Sequence, residues 1–238
     1  MLSLSPNPTK QLIIKIGEIE YARYPVKTHV VKVGDDLNAI LEQYLKPHLQ
    51  PEDMIFISEK IVAISQGRSY PIKDIQVSKL AKFLSEKVHK SPYGIGLRSP
   101  WTMQLALNEV GYARVFLGII AHFIGKALGI KGAFYHVVGR TVAAIDGPCS
   151  YTLPPYNEYA KLGPTKPRKV AQELAHKIGH DVVIIDANDL GVNILGKSNK
   201  KLSDTMLAAI FKDNPLGQTN EQTPLCIVKK IISPPDHQ

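Results

Sequence analysis

Residues 182–191 read VVIIDANDLG, and the reading of this stretch decides the fold. Its first four residues are β-branched and apolar, and an unbroken run of that kind reads as a strand covered on both faces. In open α/β sheets ligands gather beyond the carboxyl ends of such strands. Asp186, Asn188 and Asp189 stand at that end. Clustered side-chain oxygens suit a hard cation, and phosphate substrates usually arrive with one. The same residues also make Asx turns, hydrogen-bonding their own backbone. Taken alone, the stretch leaves a site and a turn both open.

Outward from it, the chain alternates strand and helix patterns irregularly. QLIIKI (residues 11–16) and THVVKV (28–33) read as strands, and Gly34, Asp35 and Asp36 form a turn that caps a helix over 35–49. DMIFISEK (53–60) reads as a strand, VSKLAKFLSEKV (77–88) as an amphipathic helix, and residues 99–111 as a helix with Ser99 as cap and Pro100 in its first turn. VFLGIIAHFIGKALGI (115–130) carries His122 and Lys126 and falls short of the roughly 20 residues that span a bilayer, so it reads as a buried helix. GRTVAAIDG (139–147) reads as a strand ending in Asp146, residues 165–179 as a helix stopped by Gly179, 202–211 as a helix and 224–232 as a closing strand. The expected class is therefore mixed α/β with an irregular topology.

Composition bounds the rest. The 238 residues are 44% hydrophobic and 21% charged, ordinary for a globular protein that buries a sizeable core. Cys149 and Cys226 form no CxxC or Cys/His spacing, which argues against a disulfide framework or structural zinc and fits a reducing cytoplasm. The start, MLSLSPNPTK, does not read as a secretory signal, and no membrane partner is expected. A net charge of +8 favours anionic partners, but the cations are dispersed without an aromatic-interleaved stripe, which disfavours nucleic acid. Walker A, GxGxxG, HExxH and GxSxG motifs are absent.

Two expected strands thus end in acidic groups, Asp146 and the Asp186–Asp189 cluster, and side by side they would make a metal site whose carboxylates repel when no cation lies between them. In ISEKIVAISQGR (57–68), Ser58 and Lys60 follow the MIFI strand, where a lysine can meet a nucleotide phosphate as a point charge. Glu109 reads as a helix-surface carboxylate, and neither His122 nor His136 has metal-ligand spacing.

Together these segments resemble the coenzyme F420-0:L-glutamate ligase family, the gamma-glutamyl ligases of a deazaflavin coenzyme. The match is carried by VGDDL (33–37), SEKIVAISQGR (58–68), AAIDGPC (143–149), KLGPTKPRKVAQEL (161–174) and Asn188-Asp189-Leu190-Gly191, across residues 25–232. Residues 1–24 would be an N-terminal segment with the first strand, and 233–238 a tail. The resemblance implies a cytoplasmic homodimer that uses GTP, with Mg²⁺ or Mn²⁺ and K⁺ as a further cation. L-glutamate would be joined through an acyl phosphate to an anionic carboxylate acceptor, coenzyme F420-0 or a similar acid. It also implies Asp146 and Asp189 as catalytic residues, Asp146, Asn188 and Asp189 as metal ligands, and Ser58 and Lys60 as nucleotide contacts. The chain departs from the family pattern at Ile64 and Cys149, where a lysine and an asparagine are expected, and at Asn188-Asp189, which replaces Asp-Thr. An amide ligase for another acid or amine, or an inactive anion-binding module, are the alternatives.

Overall fold

The computed structural model describes residues 5–88, 96–130, 132–139, 142, 144–188, 191–217 and 219–231. The chain divides into two compact units, residues 1–65 with 166–238 and, inserted between them, 66–165. The first and last residues of the inserted unit are tied together by one side chain. Gln66 Nε2 donates to Thr165 O at 3.0 Å, and Gln66 Oε1 accepts from Thr165 N at 2.8 Å.

The first unit is built on a six-stranded mixed sheet. Its strands are β1 (Ile13–Ile16), β2 (Ile19–Val26), β3 (Met54–Ser58), β6 (Asp181–Asn188), β7 (Gly191–Lys197) and β8 (Leu225–Ile231), in the order β1-β2-β8-β3-β6-β7. Among the described residues of this sheet only β3 and β6 pair in parallel; the other pairs are antiparallel. Val182, Val183, Ile184 and Ile185 are all fully buried, as their continuous apolar run requires. On one face Met54, Phe56, Val183, Ile185, Cys226 and Val228 pack against Leu207, Ile210 and Phe211. The rings of Phe56 and Phe211 stack 4.2 Å apart. Strand alternation turns Ile55, Ile57, Val182 and Ile184 to the opposite face. Three helices of this unit lie at α1 (Leu37–Tyr44), α2 (Glu59–Ser65) and α7 (Pro167–Ile178). α1 and α7 contact each other, α7 also contacts β6 and β7, and α2 contacts β3 and β6. The VGDDL segment works as expected: Asp36 accepts the Asn38 N–H at 2.9 Å and caps α1, while Asp35 accepts the Lys32 N–H at 2.8 Å.

Two strand assignments need correction here. THVVKV is not a strand: Thr28 N donates to Gln222 O, Gly34 N donates to Ser65 O, and Val33 is 61% exposed. The strand is IEYARYPV instead, although it contains an arginine and a proline. Arg23 is fully buried because its guanidinium donates to Asp213, to Ile210 O and to Gln11 O. Pro25 lies past the last β1 partner, Ala22, so its missing N–H leaves no gap in that ladder.

The inserted unit holds a short antiparallel pair, β4 (Ser69–Pro71) and β5 (Tyr159–Lys161), with helices α3 (Lys79–Lys87), α4 (Pro100–Val110), α5 (Tyr112–Ala127) and α6 (Ala133–Val138). Ser99 caps α4 through the Thr102 N–H, and α4 supplies Met103, Leu105, Ala106 and Leu107 to the core. Among the described residues of 139–147 the expected strand does not form. Arg140, Thr141 and Ala143 lie outside the described residues, Ala144 sits in a turn, and Asp146 makes only an isolated bridge. Nor is the apolar helix buried: α5 buries only Val115, Gly118 and Gly125, and Phe116 and Phe123 are 65% and 67% exposed. Among the described residues no single helix is long and apolar enough to cross a membrane. The eighth helix, α8 (Asp204–Ile210), belongs to the first unit and is capped by Ser203.

Candidate functional site

β3 and β6 run in parallel with Ser58 opposite Ile185, so their carboxyl ends open on one edge of the sheet. β6 continues for three residues past that point, through Asp186, Ala187 and Asn188. It then turns back into β7, with Asn188 opposite Gly191; Asp189 and Leu190 lie outside the described residues. The opening stretch is therefore a strand that enters a hairpin. β7 escaped the sequence reading because GVNILGK carries two glycines and an asparagine, residues depleted in strands.

Alternation along β6 puts Ile184, Asp186 and Asn188 on one face. Gly196 pairs with Ile184, and a Cβ on it would stand 2.5 Å from Arg168 N and from the Pro167 carbonyl carbon. The first turn of α7 thus lies on the face that carries Asp186 and Asn188. Lys166 precedes that turn, and Arg168 and Lys169 are within it. Cations at a positive dipole end disfavour the helix itself and favour an anion beside it.

Ser58 ends β3 and its Oγ accepts the Lys60 N–H at 3.3 Å, so the serine caps α2. Lys60 is exposed on the first turn of α2, one element later than the sequence placed it. Glu59, between them, is 2% exposed at a position where the helix dipole favours a carboxylate. Sequence reasoning passed over it; the available signal was an acid directly after a buried strand.

Asp146 belongs to the inserted unit. Its N–H donates to Lys161 O at 2.9 Å, the Lys161 N–H returns the bond at 2.8 Å, and Lys161 Nζ meets Asp146 Oδ2 at 3.1 Å. The lysine side chain is 9% exposed and the aspartate side chain 52%. Lys161 was missed because it stands between two buried apolar residues, Ala160 and Leu162. The ion pair alters one expectation: Asp146 faces a cation of this unit, so it is not a bare charge waiting for a metal. Asp146→Asn is expected to lower metal-free stability by about 1 kcal/mol, kept small because water reaches the aspartate. Thermal melts without metal check this, and a rise in melting temperature would show that carboxylate repulsion dominates.

Arg68, at the end of the Gly-Arg segment, donates through Nε to Gly163 O and through Nη2 to Glu109 Oε1, both at 2.6 Å. Glu109 is thus an ion-pair partner with 23% side-chain exposure rather than a surface carboxylate.

The oxygen donors of β6, Asp186 and Asn188, fit a hard divalent cation in their chemistry. Among the described residues no three His, Cys, Asp or Glu side chains gather, so a fuller ligand set would draw on Asp189. A cavity of about 650 Å³ lies at the other end of the same strands, lined by Glu52, Asp53, His180, Asp181 and Ser198. It is remote from this chemistry, and its two aspartates are engaged: Asp53 with Lys229 at 2.7 Å, Asp181 with Ser198 at 2.9 Å and with Asn199 at 3.0 Å.

In open α/β sheets ligands bind beyond the carboxyl ends of parallel strands, and here that position carries Ser58, Asp186 and Asn188. The sequence profile of the family described as F420-0:Gamma-glutamyl ligase matches residues 25–194 of the 238. The chain belongs to that ligase family. No individual curated protein matches it.

Proposed function

We propose that the protein joins L-glutamate to a carboxylate acceptor, coenzyme F420-0, through an amide bond, with GTP as phosphoryl donor. The acceptor carboxylate takes the γ-phosphoryl of GTP, giving an acyl phosphate and GDP. The glutamate amine then attacks the acyl carbon, phosphate leaves, and the amine proton is released. Family membership supports the amide chemistry. The observation that carries the phosphate chemistry is the edge formed by the carboxyl ends of β3 and β6, where Ser58, Asp186 and Asn188 lie, with Lys60 on the helix that follows β3.

In this reading Lys60 holds a nucleotide phosphate as a point charge, and the Ser58 hydroxyl, already accepting from Lys60 N–H, has its own proton to donate. The cations at the start of α7 add to the positive field on the Asp186 and Asn188 face. Mg²⁺ or Mn²⁺, with Asn188 and Asp189 as its ligands, would neutralise phosphate charge and polarise the transferring phosphoryl.

The test is phosphate release from GTP or ATP with Mn²⁺, glutamate and a panel of acids that includes coenzyme F420-0. Release that requires both glutamate and coenzyme F420-0 supports the proposal. Turnover only with another acid keeps the ligase and removes the named acceptor. Nucleotide binding without release from any acid would favour an anion-binding module without turnover, a reading to which Ile64, Cys149 and the Lys161–Asp146 ion pair point.

A further inference from the structure

α5 is apolar around most of its circumference, yet the inserted unit covers only part of it. At 100° per residue, the positions from Tyr112 to Leu128 leave an arc of about 160° with no charged side chain. Within it Phe116, Leu117, Ile120, Phe123 and Ile124 are 42–67% exposed, and Tyr112 and Leu128 at its two edges are 51% and 68% exposed. The helix cannot roll to hide this face. Its opposite side is packed on α6 through two glycines: a Cβ on Gly118 would stand 2.7 Å from Val138 Cγ1, and one on Gly125 2.4 Å from Ala133 Cβ.

The charges around this face are all of one sign. Arg114 and Lys126 stand on either side of the arc, each about 40° beyond its edge, and both are exposed. Neither is ion-paired among the described residues. In the sequence no Asp or Glu occurs between Glu109 and Asp146, whereas Arg114, Lys126, Lys131 and Arg140 do. The two bounding acids are themselves answered inside the unit, Glu109 by Arg68 and Asp146 by Lys161. The segment that carries the exposed apolar face therefore also carries uncompensated positive charge.

An apolar face flanked by a cation on each side fits the boundary between acyl chains and anionic headgroups. There the apolar side chains enter the hydrocarbon layer, while arginine and lysine lay their stems along it and place their charges among the phosphates. Tyr112, at the edge of the arc, has the amphipathic ring that is enriched at this depth. The polar outer side of a free interfacial helix is not needed, because Val115, Gly118 and Gly125 are buried against the protein. That the chain start is no secretory signal and that no described helix spans a bilayer does not bear on a helix lying in the surface, which inserts by its own side chains. Pairing two copies through the same face would bring cations alone to its rim, with no carboxylate to meet them.

We propose that the exposed face of α5 binds the surface of an anionic phospholipid bilayer, making the inserted unit a peripheral anchor. This stands apart from the ligase reading and needs no substrate. The full chain should co-sediment with vesicles of phosphatidylcholine and phosphatidylglycerol, and less with vesicles of phosphatidylcholine alone. Arg114→Gln and Lys126→Gln should each lower the partition coefficient roughly fivefold, the share of one basic residue at such a surface. Phe116→Glu with Phe123→Glu should abolish binding with an unchanged far-ultraviolet dichroism spectrum, since both rings are exposed in the single chain. In a Cys149→Ser background, where the remaining Cys226 is buried, a polarity-sensitive fluorophore on Ile120→Cys should shift to the blue with the mixed vesicles. The same label on His122→Cys, about 160° round the helix, should not. A wild-type chain that stays off the mixed vesicles, equal partition into both kinds of vesicle, binding that survives the double substitution, or equal shifts at both labels overturns the proposal. A chain that stays off vesicles and whose mass by light scattering halves with the double substitution overturns it in favour of a second copy.

Discussion

Asp213→Ala should lower the unfolding free energy by about 3 kcal/mol, because it leaves a buried guanidinium without its counter-charge. Arg23 is fully buried in the sheet layer, and Asp213 binds it through both carboxylate oxygens. The loss stays at the low end for a broken buried pair, since Arg23 keeps Ile210 O at 2.8 Å and Gln11 O at 2.5 Å. Burial pushes the Asp213 carboxyl up, and the hydrogen bond and charge of Arg23 outweigh it, so the group titrates below the usual carboxylate range. Its contribution is therefore fully present above the unfolded value, about 3.9, and is lost as pH falls through the lower folded value. Urea melts of wild type and variant should differ most near neutrality and converge in acid. A neutral-pH difference under about 1 kcal/mol would contradict the role given to the pair.

Lys60→Ala should weaken GTP binding roughly 10- to 100-fold, the range for losing one hydrogen bond to a charged group. The side chain is exposed on the first turn of α2, so the melting temperature should change little. Calorimetric titration of GTP in the presence of Mn²⁺ reads the first quantity and a thermal melt the second. Unchanged affinity would remove Lys60 from the nucleotide site while leaving the amide chemistry open to another lysine.

The apolar runs were legible: residues 182–185 and MIFI read as buried strands, and both form interior strands of the sheet. Helix starts were legible where a cap is local, as at Asp36 and Ser99. What could not be read depends on partners far along the chain. IEYARYPV becomes a strand only because Asp213 neutralises Arg23 from 190 positions away. THVVKV has strand composition, but its hydrogen bonds are taken by Gln222, Tyr44 and Asp35. Local pattern also treats an apolar helix as a core helix, whereas α5 carries its apolar face outward. At the candidate site, residue types were legible and surroundings were not. Lys161 beside Asp146 and the buried Glu59 change the electrostatics of two named positions, and neither follows from motif spacing.

The place of β8 in the sheet has a consequence for how the chain is made. β8 pairs with β2 on one side and β3 on the other, and it follows every other described strand in sequence. As the polypeptide leaves the ribosome, the β1–β2 hairpin emerges early and must wait, its inner edge unpaired and Arg23 without Asp213, while nearly two hundred residues follow. The parallel pair β3 and β6 can assemble in the meantime, but the two halves of the sheet remain unjoined until residues 225–231 are free to slide between them. The nascent chain therefore exposes two sticky sheet edges until residues 225–231 have emerged, the circumstance in which holding chaperones are most needed. A ribosome stalled just before Leu225 should present this protein in its most aggregation-prone form.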